Sequence, residues 1–364
     1  MTPRSRWRSN VKAALASAIS RAPILDRRDT GPLILGYHRV VDDFARVAST
    51  EMPSMLVSAR MFERHLDCIG RRFTFVSVDD IGERMASGRP FDRPVAAVTF
   101  DDGYRDVYEQ AFPILTRKGI PGAVFVVTDL VGKPFWQIHD KLYHLVAKAY
   151  GVWSDPRREL EGVFTALNLP AGFVSRQRGA STSPMLAVTS MLPELTLADV
   201  RRVMAGIEAS VGNGFHTIPE TAGWAELADM QRHGVTIGSH TQHHVSLPME
   251  SSGDVARELA GSKAVIEQHL GGRCDHFAYP GGQFTPGVVD AVGGAGYRYA
   301  YTACGHSDLR RPALTMKRLL LWEGSSVDGH GRFSPAILDC QAHHLWPPAW
   351  RCERAHAERT DIHG

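Results

Sequence analysis

The chain has 364 residues, 43% of them hydrophobic, and 41 Lys+Arg against 39 Asp+Glu give a formal net charge of +2. That length and apolar content suit one α/β barrel with insertions, and the near-balanced charge excludes the strong electrostatic footprint of a nucleic-acid binder. Five cysteines (Cys68, Cys274, Cys304, Cys340 and Cys352) are an odd number with no disulfide-like spacing, which points to a reducing compartment.

Residues 1–30 form a basic segment. Arg4, Arg6, Arg8 and Lys12 accompany a short apolar run, Val11 to Ile19, that lacks the hydrophobic centre and cleavage site of a signal peptide. It reads either as a basic amphipathic helix lying on a membrane surface or as an ordinary surface helix. The expected location is cytoplasmic or peripheral to a membrane, with secretion left open. No stretch reaches the roughly 18 apolar residues of a transmembrane helix.

Pro32 to His38 reads as a buried strand that ends in a histidine. Met61, Phe62, Leu66 and Ile69 have helical spacing, and Phe75 to Val78 begins another short element. Val95 to Phe100 is a second apolar strand. A helix from about Tyr104 to Lys118 follows, closed by Gly119 and Pro121, and Ala123 to Val127 is the next strand. This alternation predicts βα units and a parallel sheet. Residues 130 to about 220 break the rhythm with Ser/Pro-rich and charged stretches and read as a mostly helical insertion. Its Trp136 and His139 either line a glycan cleft or take part in ordinary helix packing. Strand patterns resume at 235–239, 276–279, 297–302 and 317–322, with helices over about 254–270 and after Pro286. The tail, 323–364, is rich in His, Arg, Pro and Trp. Its Cys340, His343, His344, Cys352 and His356 have spacings too short for a zinc finger, so it is expected to be poorly structured.

Two stretches carry chemistry. The strand 95–100 ends in Asp101, Asp102 and Gly103. Side chains alternate along a strand, so the two acids point different ways, one free to bind a metal and the other to face a substrate. Gly103 permits a sharp turn after them, and a plain turn is the competing reading. The second stretch, Val235 to Leu247, contains His240 and His244 at i, i+4, which on a helical turn share one face and can hold one metal ion. Thr241 stands where the metalloprotease motif has its glutamate, so the base must come from elsewhere, and Asp101 is the candidate. The competing reading is a polar loop with surface histidines.

Thr99-Phe100-Asp101-Asp102-Gly103-Tyr104, His240-Thr241-x-x-His244 and Phe277-Ala278-Tyr279-Pro280-Gly281-Gly282, in that order, resemble the polysaccharide deacetylases, carbohydrate esterase family 4. The resemblance covers roughly residues 30 to 322. It implies a distorted (β/α)7-type barrel over 31–322, with the helical insertion inside it. It also implies Asp101 as catalytic base and Asp102, His240 and His244 as metal ligands, with Tyr104, Tyr279, Pro280 and Gly281 on the substrate. That family usually carries an acid histidine in a Leu-x-His motif on the last strand. Here that strand reads Arg318-Leu319-Leu320-Leu321-Trp322. The usual third motif also has an arginine that pairs with the base, where this chain has Ala278. Both departures resemble the subgroup that includes poly-N-acetylglucosamine deacetylases, which implies a permuted strand order and an acid on the first strand, a position that His38 matches.

The function implied is metal-dependent removal of acetyl groups from an N-acetylated glycan, here an exopolysaccharide or an oligosaccharide. Three protein ligands would leave positions open for water and substrate, and two nitrogens with one oxygen suit Zn, with Co, Ni or Fe as alternatives. The backbone N–H of Tyr104 is a candidate for holding the oxyanion. The competing readings are a non-catalytic carbohydrate-binding protein that keeps the fold, and a metal phosphoesterase, whose chemistry usually wants two metals and more carboxylates.

Overall fold

A computed structural model of the chain describes residues 16–17, 31–172, 183–212 and 219–345. Strands β1 (Leu33–Tyr37), β2 (Arg39–Val41), β3 (Leu56–Ser58), β4 (Thr74–Phe75), β5 (Val95–Phe100), β6 (Gly122–Val126), β7 (Val235–Ser239), β8 (His276–Ala278), β9 (Tyr299–Thr302), β10 (Met316–Lys317) and β11 (Leu319–Leu320) follow one another along the chain. Apart from the small β2–β3 pair, they form one parallel sheet in the order β10-β9-β8-β7-β6-β5-β1-β11, with β4 beside the start of β5. β10 and β11 are two halves of one extended segment. Its first half pairs with β9 and its second half with β1, and Arg318 between them donates its N–H to the Thr302 carbonyl at 2.9 Å. The segment 316–320 therefore joins both ends of the sheet and makes a nearly closed (β/α)7-type barrel.

The two-residue period of the strands decides what enters this barrel. Val95 and Ala97 of β5 join Ile34, Ala123, Phe125, Ala278, Tyr299, Tyr301 and Met316 in one interior cluster. Ala96, Val98 and Phe100, the alternate set, face the surrounding helices. Phe125 takes up the space left by a missing side chain at Gly238, whose Cβ would lie 2.7 Å from the Phe125 ring.

Around the barrel lie α1 (Ala59–Ile69), α2 (Val78–Ser87), α3 (Phe112–Lys118), α4 (Ile138–Val152), α5 (Pro156–Ala166), α6 (Pro184–Met191), α7 (Leu197–Val211), α8 (Trp224–Arg232), α9 (Ser252–Leu270), α10 (Pro286–Gly294) and α11 (Pro335–Ala342). Their starts follow local chemistry. The Ser58, Ser77 and Ser251 hydroxyls accept the backbone N–H of Met61, Asp80 and Asp254, which satisfies donors that a helix start leaves open. Gly88 and Gly119 end α2 and α3 at positive φ, 66° and 63°.

Helices α4 to α7 form the inserted layer, which has a core of its own. Leu142, Leu145 and Val146 of α4 meet Leu160 and Phe164 of α5, Val188 and Met191 of α6, and Val200, Val203 and Ile207 of α7. The feet of this layer are tied to the acid turn. The Ala222 N–H donates to the Gly103 carbonyl at 2.9 Å and the Gly132 N–H to the Ala222 carbonyl at 3.1 Å.

The expectation of a poorly structured tail is corrected over 323–345. Ser334 caps α11, and Ile337, Leu338 and Cys340 are buried, Leu338 within the cluster that also holds α1. The Glu323 N–H donates to the Leu56 carbonyl at 2.9 Å and its carboxylate accepts the Ser58 N–H at 2.7 Å. A few apolar residues suffice because the barrel wall supplies the rest of the core. Residues 346–364 lie outside the described part. So does nearly all of the basic segment 1–30, except that Ala16 is buried against Ile337 and Cys340. Cys68, Cys274, Cys304 and Cys340 are all buried and unpaired with one another, and among the described residues no helix is long and apolar enough to cross a membrane.

Candidate active site

Strand pleating carries Asp101 onto the barrel axis directly above Thr99. There Arg318, which stands between β10 and β11, donates Nη1 and Nη2 to the two Asp101 oxygens at 2.6 and 2.7 Å, and Nη1 also donates to the Thr99 hydroxyl at 3.2 Å. The guanidinium lies over the Phe125 ring, 5.6 Å from its centre. Burial by itself would raise the Asp101 pKa; Arg318, His240 and His38 outweigh it and hold this carboxyl at about 2. This fork-to-fork pairing fixes where the carboxylate points. Arg318 is the residue that sequence reasoning missed. The chain lacks the expected arginine at Ala278, and the same role is filled from a strand 217 positions away from Asp101. The available signal was an arginine standing inside an otherwise apolar strand.

Asp102 lies on the opposite side of the turn. Its φ of 69° and the 68° of Gly103 put both in the left-handed region, where a non-glycine residue stores strain that is common at functional sites. The Gln137 side chain holds this turn by donating to the Asp102 carbonyl at 2.9 Å. Both carboxylate oxygens of Asp102 are buried without a hydrogen-bond partner. Burial, with the nearby Asp101 and Asp140 carboxylates, pushes its pKa well above the usual range.

Three imidazoles face this carboxylate. His244 Nε2 and His240 Nε2 lie 3.4 and 3.7 Å from Asp102 Oδ1, and His139 Nε2 lies 3.6 Å from Oδ2. The His240 ring is oriented by its Nδ1, which donates to the Ala278 carbonyl at 2.7 Å and leaves the Nε2 lone pair free. The helical reason given for the His240–His244 spacing is corrected. Residues 240–244 form a loop with positive φ at Thr241 (69°) and His244 (56°), and the His244 N–H donates to the Thr241 hydroxyl at 2.8 Å. A side chain-to-backbone turn, not a helix face, brings the two rings to 4.9 Å.

His139 comes from the first turn of inserted helix α4. The Tyr104 hydroxyl donates to Asp140 at 2.7 Å and lies 2.9 Å from His139 Nε2. Asp102, His139 and His244 bring ligand atoms within 4.8 Å of one another. Burial lowers the pKa of all three imidazoles, His139 to about 3 and His244 well below the ordinary value; neighbouring histidines add to the effect at His139 and His244. Neutral rings are what a cation needs. Each imidazole nitrogen lies 3.4–3.7 Å from an Asp102 oxygen, close to the ~3.4 Å between two ligand atoms on one tetrahedral Zn; His240 stands outside the mutually close set of Asp102, His139 and His244. A buried carboxylate with no donor, ringed by neutral imidazoles, fits a divalent cation.

The remaining expectations divide. His38, just past β1, lines the cleft beside Asp101, and burial lowers its pKa to about 4 against the opposing pull of Asp101. Pro280 and Gly281 line the same cleft. The Tyr104 side chain does not, since it is 1% exposed and its hydroxyl lies against His139 and Asp140. Tyr279 is a core residue, 0% exposed, whose hydroxyl donates to the Leu314 carbonyl at 2.9 Å. The strand period, which carries its neighbour Ala278 into the barrel interior, carries Tyr279 into the outer layer beside Phe277 and Phe284. Trp136 packs edge-on against His144 at 4.6 Å.

The polysaccharide deacetylase family model matches residues 88–154 and 184–300, just over half of the chain. No curated protein matches it. Among solved structures, the deacetylase PplD of Streptococcus pyogenes, in complex with acetate, is similar at 15% identity with a TM-score of 0.52, covering 82% of this chain and 95% of its own. IcaB from Ammonifex degensii is similar at 20% identity with a TM-score of 0.52, covering 86% and 97%. At these identities the likeness is one of fold, the nearly closed parallel barrel described above. The matched family segments contain the Asp101–Asp102 turn, His139, His240 and His244, and on that coverage the chain belongs to the polysaccharide deacetylase family.

Proposed function

We propose that this site hydrolyses the N-acetyl amide of an amino-sugar glycan with the help of one divalent cation, Zn on ligand chemistry, with Co, Ni or Fe as alternatives. The observation that carries the reading is Asp102, a buried carboxylate with no hydrogen-bond donor, facing three neutral imidazoles beside an Asp101 that Arg318 holds in place. Asp102, His240 and His244 would hold the ion, with His139 from the insertion as a further ligand. The bound cation supplies acidity to a water and polarisation to the amide carbonyl. Asp101 takes the proton of the attacking water. The proton that Asp101 takes passes to His38, whose neutral ring accepts it and hands it to the leaving nitrogen as the carbon–nitrogen bond breaks, which releases acetate and a free amine. The Tyr104 backbone N–H and the rim formed by Pro280 and Gly281 position the acyl oxygen and the sugar. The placement of His38 just past β1, the strand that pairs with the acid strand β5, and Ala278 in the third motif, support the poly-N-acetylglucosamine-type subgroup and an exopolysaccharide substrate.

The test is acetate release from N-acetylglucosamine oligomers, with and without chelator. Release that stops on chelation and returns with Zn is expected. Metal-loaded protein that releases no acetate from any such glycan overturns the reading.

A further inference from the structure

The cleft above the catalytic groups is not built like a sugar groove. It has a volume of about 410 Å³, more than twice that of an engineered protein cavity of ~150 Å³ that takes one benzene ring. Its titratable lining groups are His38, Asp101, His139, His240, His244 and Arg318. Met55 and, from the inserted layer, Met185, Leu192, Leu195, Leu197 and Val200 give it an apolar wall, in which the Thr189 hydroxyl donates to the Met185 carbonyl. Leu195 and Val200 are only 2% and 3% exposed, so the wall is continuous with the insertion core. Sugar hydroxyls pressed against such a wall would lose water without gaining partners.

We propose that this cleft takes an aliphatic acyl chain longer than acetyl on the amide nitrogen, so that the enzyme removes medium-length N-acyl groups from an amino sugar. The proposal rests on the hydrolytic reading of the site and adds the class of acyl group. Two observations choose an acyl chain over a lipid carried on phosphate. Apolar lining residues stand next to the catalytic groups, Ile138 beside His139 and Val245 beside His244, so a chain on the carbonyl carbon meets apolar lining at once. Among the described lining residues the only Lys or Arg is Arg318, and both of its Nη atoms are held by Asp101; no basic side chain is left for a phosphate.

Glucosamine oligomers N-acylated with acetyl, hexanoyl or decanoyl test this. Each buried methylene is worth about a fourfold rise in kcat/KM, so the rate constant climbs over the first several carbons. Met55→Glu and Leu192→Glu, on separate segments and at partly exposed positions, flatten that climb while the melting transition shows that the fold is kept. Calorimetry on Asp101→Asn protein with N-decanoyl- and N-acetylglucosamine reads binding without turnover, and the decanoyl amide binds more tightly. If nothing is hydrolysed but the decanoyl amide still binds more tightly, the acyl cleft stands and the hydrolytic reading fails. Equal rates and equal binding for acetyl and decanoyl overturn the proposal and leave deacetylation intact. A rise seen with the decyl glycoside of N-acetylglucosamine, but not with the decanoyl amide, also overturns it and places the apolar group on the anomeric carbon.

Discussion

The barrel rim and the inserted helices meet at one cleft and bring opposite chemistry to it. On the rim, Asp101, Asp102, His38 and His240 stand at or just past strand ends. Two of them have partners fixed by the barrel, Asp101 on Arg318 and His240 on the Ala278 carbonyl. The insertion brings an apolar wall and, at the first turn of α4, the single pair His139–Asp140. A parallel barrel collects its catalytic groups at the carboxyl ends of its strands because that is where loops replace pairing. A layer folded around a separate core, as α4 to α7 are, can change its facing surface without disturbing those strand ends. On the proposals above, the rim carries the reaction and the insertion the choice of substrate.

The sharpest way to break that division is Arg318→Met. It leaves Asp101 buried and unpaired, and a lost partner in a buried ion pair costs about 3–5 kcal/mol. Chemical denaturation reads the loss, and unchanged stability would remove Arg318 from the centre of the rim. Asp101→Asn comes next. It should lower acetate release about a thousandfold, within the range for removal of a general base; because it also leaves Arg318 buried without its anion, the rate is read on protein whose far-UV spectrum shows it folded. Retained turnover would favour a different base.

His139→Gln probes a side chain that the insertion sends into the rim. A competition titration against a chelating dye should show metal affinity weakened about 10–100-fold. Unchanged affinity would return His139 to a packing role and make the division complete. The smallest effect concerns a histidine far from the cleft. His65 is fully buried between the Tyr37 hydroxyl and Ser326, 3.3 and 2.7 Å away, and burial pushes its pKa to about 3. Its folded pKa is below its unfolded value of about 6.5. The stability it contributes is therefore complete above pH 6.5 and falls as the pH drops toward 3, by about 1.4 kcal/mol per pH unit within that window. Denaturation at pH 7.5 and 5.5 should show this slope, and His65→Gln should reduce it; a variant with the parent's slope would place the proton elsewhere.

Part of this was legible before any coordinates. The apolar runs Pro32 to His38 and Val95 to Phe100 needed only their composition to be read as buried strands, and Leu33–Tyr37 and Val95–Phe100 form them; the short strand expected before His240 is Val235–Ser239. The segment 130–220 stood out because its rhythm failed. His240 and His244 were found by spacing, although a loop with positive φ rather than a helix sets their geometry. A motif names a residue without saying which way its side chain leaves the backbone: the Tyr104 and Tyr279 side chains both turn into packed layers, so Tyr279 does not line the cleft and Tyr104 keeps only its backbone N–H as a candidate there.

The amino-acid order by itself determined the strand and helix alternation, the two acids at a strand end and the histidine pair, because each depends on neighbours a few residues away. Only the tertiary structure decided that Arg318 serves Asp101, that His139 faces Asp102, and that the cleft has an apolar wall. Those depend on which strand closes the barrel and on where an insertion with its own core comes to rest, and both are settled by packing between residues far apart along the chain.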